Sequence, residues 1–238
     1  MKVGIIGAMD VEVNHLKETM KICNTMVVAR QEYCEGTIGN IEVVVVKCGV
    51  GKVRAGMSVQ VLHDLFHVTH IINTGVAGSL NNHLNIGDVL VSKDAVYHDV
   101  DATNFGYALG EIPASGCLYY LADEKMRKAA VEAAQKAAPE ICVLEGRVAS
   151  GDSFIRTKEK KDWIKKNFNA DCCEMEGCAI AQVSYLNNLP FVIIRAISDK
   201  ADESVQESYE VFESKAAEHC AKIVSFMLNH QSFTMRSL

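Results

Sequence analysis

Short apolar runs, several of them closed by glycine, alternate along the chain with stretches whose apolar residues recur every three or four positions. The first kind reads as buried strand and the second as amphipathic helix. Residues 2–7 (Lys-Val-Gly-Ile-Ile-Gly) predict a strand, and 10–22 a helix through Val13, Leu16 and Met20. Strand-like runs follow at 26–38 and 41–47, the second centred on four consecutive valines. Val53, Met57, Val61 and Leu65 predict a helix over 52–66. Further strands are predicted at 70–74, 88–96, 143–150 and 191–196. Helices are predicted at 122–138, 157–166, 175–187 and 207–229. In the third of these Ala179, Ile180, Val183 and Leu186 point inward. In the last, Phe212, Ala216, Cys220, Ile223 and Met227 share one face. Residues 97–116 show no period and are long for a loop, which invites a functional reading.

Strands alternating with helices, with near-continuous Val/Ile cores, predict an α/β fold. The expected architecture is one domain over residues 1–238, a mixed, mostly parallel central sheet flanked by helices. Ligands in such sheets sit at the carboxyl ends of the strands. Glycines gather there: Gly7, Gly49 and Gly51, Gly75 and Gly78, and Gly151 each follow an apolar run. One glycine is ordinary turn punctuation; recurrence after four runs points to a site that the backbone approaches closely.

Composition narrows the class. With 238 residues, 49% hydrophobic and 23% charged, the chain can bury a large core and does not resemble a disordered segment. The net charge of −6 gives no electrostatic support for nucleic-acid binding. No apolar run reaches the roughly 18 residues of a membrane span. Nine cysteines, an odd count without a CxxC, predict reduced and mostly buried thiols, no zinc site and a cytoplasmic setting.

Common motifs fail on spacing. Gly4-Ile-Ile-Gly7 lacks the dinucleotide fingerprint, and Gly49-Val-Gly51-Lys52 lacks the spacing of a phosphate loop. His63, His67 and His70 have helical spacing but no acidic ligand nearby, so surface histidines are expected and no metal or cofactor.

Carboxylates stand in unusual settings. Glu12 follows the turn after the first strand, Glu174-Met175-Glu176 precedes an apolar helix, and Asp199 ends an apolar strand. Glu12 or Glu174 could be a first-turn acid favoured by the helix dipole, and Asp199 an N-cap. Arg195, inside the same apolar strand as Asp199, demands a buried anion and favours a paired, functional cluster.

Six segments carry a resemblance, in order along the whole chain: Met1-Lys-Val-Gly-Ile-Ile-Gly-Ala-Met9, Gly49-Val-Gly51-Lys52-Val53, Ile71-Ile-Asn73-Thr74-Gly75, Ser150-Gly151-Asp152-Ser153-Phe154, Glu174-Met175-Glu176 and Arg195-Ala196-Ile197-Ser198-Asp199. Together they resemble the 5′-methylthioadenosine/S-adenosylhomocysteine nucleosidases of the nucleoside phosphorylase/hydrolase superfamily. The resemblance implies hydrolysis of the bond between adenine and a 5′-substituted ribose. The alternatives are an aminodeoxyfutalosine nucleosidase and a purine nucleoside phosphorylase.

By the same resemblance, Asp199 is the general acid at adenine N7, with Ser198 beside it. Glu12 is the base that activates water, and Arg195 holds the water and the carboxylates. Glu176 takes the ribose hydroxyls. Met9 and Met175 flank the sugar, Phe154 stacks on adenine, and Ile155 reads its edge through the backbone. Val50, Ala77, Gly78 and Glu174 join the substrate-binding set, as does Tyr209 near the purine. Val76 stands where many relatives carry a serine, which removes a possible water contact. Phe105, Tyr107 and Pro113 match residues that close the pocket of a neighbouring subunit, so a homodimer is implied. An anion at Glu12 repels phosphate, which favours water as nucleophile.

Overall fold

The computed structural model describes residues 1–200 and 205–229, the stretch 205–211 by its backbone alone. Among the described residues ten strands form one sheet. They are β1 (Lys2–Gly7), β2 (Lys21–Val28), β3 (Gln31–Ile38), β4 (Ile41–Lys47), β5 (His70–Ser79), β6 (Val89–Tyr97), β7 (Tyr120–Leu121), β8 (Val143–Ser150), β9 (Cys172–Glu174) and β10 (Phe191–Asp199). The helices are α1 (Asp10–Thr19), α2 (Lys52–Phe66), α3 (Glu124–Ala137), α4 (Lys158–Phe168), α5 (Gly177–Leu186) and α6 (Val205–Asn229).

The strand order is β10-β6-β8-β9-β5-β1-β4-β3-β2, with β7 on β6. An additional β5–β10 pairing closes β5, β9, β8, β6 and β10 into a ring. The sheet is mixed, as expected. Parallel pairing joins β4, β1, β5 and β10 in one group and β6, β8 and β9 in another; antiparallel pairs link the two groups and form the β2–β3–β4 edge. Helices α1, α3 and α6 bury one apolar layer, through Leu16, Ala130 and Ile223. Helices α2 and α5 bury the other, through Val59, Leu62 and Ile180.

The departures from periodicity have local causes. The single run 26–38 is a hairpin. Its strands meet at Ala29-Arg30, both at positive φ (49° and 64°), the two-residue geometry that suits strand twist. Neither residue advertises that turn as Asn-Gly would. The helix expected to 22 stops at Thr19, and Lys21 opens β2. The strand expected at 70–74 runs on to Ser79, so Gly75 and Gly78 lie inside it rather than in a turn. The three-residue β9 had no periodic signature.

Two faces turn out otherwise than the pattern suggests. Leu186 is 65% exposed instead of inward, and Phe212 is exposed on the rim of its helix. On α2 the ends of the regular stripe face out, with Val53 83% exposed and Leu65 exposed, Met57 and Val61 are partly buried, and Ala55, Val59, Leu62 and Phe66 make the core contact. The nine cysteines are free; six are buried, whereas Cys23 and Cys142 are exposed and Cys117 lies between. His63, His67 and His70 divide between a helix, its left-handed end and the start of a strand. Among the described residues no helix is long and apolar enough to cross a membrane.

Gly36 lies against the backbone of the neighbouring strand in the outer hairpin. A Cβ there would lie 2.2 Å from the Lys21 carbonyl oxygen and 2.9 Å from Ile22 Cα, where the β2–β3 register shifts. Backbone on that side cannot yield as a side chain would. Gly36→Ala is expected to cost about 1–3 kcal/mol, read as a lower urea midpoint at unchanged slope.

Candidate active site

A cavity opens where β1, β5, β9 and β10 end. Ala8 and Met9 line it from the β1–α1 turn, Glu12 from the first turn of α1, and Val76, Ala77 and Gly78 from β5. Cys173, Glu174, Met175 and Glu176 come from β9 and the turn after it, Ser198 and Asp199 from β10. Val50 and the loop Ser153-Phe154-Ile155 complete the wall. The cavity thus lies at the carboxyl ends of these strands, where ligands of such sheets are expected.

Glu12 is the third residue of α1 and is 1% exposed. Its Oε2 accepts the amides of Ala8 at 2.5 Å and Met9 at 3.0 Å, and its Oε1 accepts the Val76 amide at 3.0 Å. The helix-start acid and the site carboxylate are thus one and the same residue. Burial raises its pKa, against the opposing pull of Arg195 and the three amides. Val76 supplies its contact through the main chain, so the missing serine hydroxyl does not touch this hold on Glu12.

Arg195 lies in the middle of β10, 1% exposed, behind the cavity wall. One terminal nitrogen donates to Asn73 Oδ1 at 2.7 Å and to Glu174 Oε2. The other lies 3.5 Å from the Val76 carbonyl oxygen and 4.0 Å from Glu12 Oε1. Glu176 Oε2 is 3.7 Å from the first of these nitrogens. Burial alone would lower the arginine's pKa; Glu174, Glu12 and Glu176 outweigh it, and the guanidinium stays charged. Gly75 permits this approach, since a Cβ there would fall 2.3 Å from Arg195 Nη1 and 2.4 Å from Glu12 Oε1.

Glu174 is occupied by the protein itself. The Ser150 hydroxyl donates to Oε1, and Oε2 accepts the amides of Glu176 at 3.2 Å and Gly177 at 2.7 Å as well as Arg195. It caps α5 and neutralises Arg195, so a place in the substrate-binding set rests on the cavity surface it provides rather than on a free oxygen. Glu176 is different: one oxygen accepts the Gly51 amide at 2.8 Å. Its pKa is pushed up to about 7, first by burial and then by the neighbouring Glu174 charge.

Asp199 is 2% exposed and accepts the Ser198 hydroxyl at 2.9 Å. In a regular strand two consecutive side chains face opposite ways. Here the β10–β5 register shifts between Ile197 and Asp199, and this bulge lets both Ser198 and Asp199 line the cavity.

Phe154 and Val50 are half exposed at the mouth, and Ile155 is buried. Phe105, Tyr107 and Pro113 do not line the cavity of their own chain; Phe105 is 76% exposed. Tyr209 lies on α6 with its side chain outside the described residues. Ala8, Ser153 and Cys173 line the wall without having been singled out from the sequence. Ser153 adjoins the Phe154-Ile155 pair and Ala8 adjoins Met9, so chain proximity could have found them.

The chain matches the phosphorylase superfamily over residues 2–229. It is 42% identical over 233 residues to the 5′-methylthioadenosine/S-adenosylhomocysteine nucleosidase of Geobacillus kaustophilus, covering 96% of this chain and 97% of that one. It belongs to the 5′-methylthioadenosine/S-adenosylhomocysteine nucleosidase family. The Staphylococcus aureus (strain Newman) nucleosidase is 40% identical over 228 residues, 95% of this chain and 99% of the other. A crystal structure of the Neisseria meningitidis nucleosidase in complex with methylthio-immucillin-A superimposes with a TM-score of 0.93 at 36% identity, covering 96% and 98%. The futalosine hydrolase of Helicobacter pylori superimposes at 0.91 and 33% identity, covering 96% and 97%.

The elevated Glu176 pKa has a thermodynamic consequence. The unfolded chain releases this proton near 4.5 and the folded protein near 7. The folded state therefore binds more protons between those values, and its stability falls as pH rises through them. Glu176→Gln should remove that part of the fall, on the order of 3 kcal/mol by pH 8. Urea midpoints of the two proteins at pH 4.5 and 8 measure it; parallel profiles would count against a shifted Glu176.

Proposed function

We propose that the protein hydrolyses the N-glycosidic bond of 5′-methylthioadenosine and S-adenosylhomocysteine, and also of 5′-deoxyadenosine, releasing adenine and the 5′-substituted ribose. One observation carries the reading: two buried carboxylates, Glu12 and Asp199, share a single cavity, the first held by three amides and the second at a strand bulge. The family, whose members include proteins named for this activity, supports it.

Asp199 donates a proton to adenine N7, so the base leaves neutral. General acid catalysis of this kind supplies ~10²–10⁴-fold. As the glycosidic bond opens, the ribose gains oxocarbenium character, which the Glu12 and Glu176 carboxylates stabilise. Glu12 then accepts a proton from the attacking water. Its raised pKa suits a base working near neutral pH. Glu176 accepts from the ribose hydroxyls, Met9 and Met175 pack on the sugar, and Phe154 covers the purine whose edge Ile155 reads. No metal or cofactor takes part. Water is the nucleophile because phosphate would enter against the charge of Glu12.

A second reading rests on the Helicobacter pylori likeness: the same cavity would cleave aminodeoxyfutalosine, which presents adenine on a different 5′ substituent. We read residues 1–238 as one nucleosidase domain, working in the cytoplasm in methionine salvage. We further read the protein as a homodimer, with Phe105, Tyr107 and Pro113 of one copy closing the 5′ pocket of the other. The outward stripe of α2 supports this: Val53 and Leu65 stand exposed, as do Phe105, Tyr185 and Leu186.

Adenine release from the four nucleosides, with and without phosphate, tests the function. Phosphate-independent release is expected. A requirement for phosphate, with ribose 1-phosphate as product, would make the protein a phosphorylase. Asp199→Asn should lower kcat at least ~100-fold while nucleoside binding persists, and Glu12→Gln should lose hydrolysis. Sedimentation at micromolar concentration should show a dimer; monomer alone would contradict the shared pocket.

A further inference from the structure

We propose that Asn73 is a positioning residue for the hydrolysis: its side-chain amide holds the Arg195 guanidinium in the orientation that keeps one edge beside Glu12. The inference rests on the nucleosidase reading and extends it to a residue outside the cavity wall. Asn73 lies in β5 and is 1% exposed. Its Nδ2 donates to the Ile6 carbonyl at 2.9 Å, and its Oδ1 accepts from Arg195 at 2.7 Å. These two partners fix the sense of the amide, because a flipped amide would set carbonyl against carbonyl and N–H against N–H.

The ladder does not need the side chain. β1 and β5 are already paired in parallel, with Ile6 opposite Asn73. What the amide adds is a fixed acceptor for a guanidinium that is otherwise unevenly held. Glu174 grips one terminal nitrogen, the other has Val76 oxygen at 3.5 Å and Glu12 at 4.0 Å, and Nε has no partner. Without Asn73 the group is free to turn onto Glu174, its strongest partner, and away from Glu12.

Neutrality at position 73 matters as well. The groups facing Arg195 are Glu12 from α1, Glu174 and Cys172 from β9, Glu176 from the following turn, Cys48 beyond β4 and Cys220 from α6. Three carboxylates already share one cation. An amide oxygen orients the guanidinium without competing for its charge.

A double-mutant cycle separates positioning from packing. Asn73→Ser, Arg195→Lys and the pair are compared by kcat/KM for phosphate-independent adenine release. Acting through Arg195, Asn73→Ser should cost ~10-fold or more in the wild type and less than ~3-fold in the Arg195→Lys background. Equal costs in both backgrounds would overturn the proposal. A second measurement needs no turnover: the carboxyl carbon of Glu12, labelled with carbon-13 and assigned with Glu12→Gln, is titrated by NMR. Its midpoint should rise by ~0.5 pH unit or more in Asn73→Ser, because Arg195 no longer favours the ionised form. An unmoved midpoint would overturn the proposal even if adenine release failed and the nucleosidase reading with it. Should Asn73→Ser not fold, Asn73→Thr, a better strand former without the reach to Arg195, carries the same titration to the same two outcomes.

Discussion

A single buried cation organises this protein's candidate site. A charge sealed from water is costly unless it is paired and hydrogen-bonded, and removing one partner of such a pair typically costs about 3–5 kcal/mol. Arg195 meets that demand with carboxylates from three places in the chain: Glu12 at the start of α1, Glu174 in β9 and Glu176 just after it. The anions outnumber the cation. Burial raises the proton affinity of Glu12, and burial together with the Glu174 charge pushes that of Glu176 up to about 7. The site's acid–base character is therefore a property of the cluster, set by burial and by the surplus of negative charge.

The main chain shares the burden. Three amides point at the Glu12 carboxylate, one reaches Glu176, and two bind Glu174. Such donors are fixed by the fold and need no reorganisation when charge moves in the cavity. This explains why valine is compatible with position 76, where the side chain plays no part in holding Glu12. It also explains why Gly75 must lack a Cβ, since the guanidinium and the carboxylate both press against that strand. The bulge before Asp199 works in the same way, turning two consecutive residues into one cavity at the cost of a single ladder step.

Much of the architecture was legible in the chain. Long, strongly periodic segments such as 41–47, 52–66 and 143–150 form the elements their spacing predicts. The misses are short or lie at boundaries: the 29–30 turn, the three residues of β9, and the glycines read as the end of β5. Periodicity also could not say which stripe of α2 faces the core. Ala, Val, Leu and Phe at 55, 59, 62 and 66 repeat as well as Val, Met, Val and Leu at 53, 57, 61 and 65, and only the packing of α2 against α5 and the sheet chose between them.

The chain alone dictates that an arginine and several acids lie inside apolar segments, and that glycines gather toward the carboxyl ends of several strands, some within the strand and some beyond it. Desolvation makes those residues conspicuous, because a charge in a core segment must have a partner. It did not determine which acid meets which donor. Glu174 and Glu176 are two residues apart and chemically alike, yet one is saturated by Ser150, Arg195 and two backbone amides while the other has one amide donor, from Gly51, and a looser approach to Arg195 at 3.7 Å. That division was decided by the tertiary structure, because hydrogen-bond partners so distant along the chain are set by how the strands and helices come together.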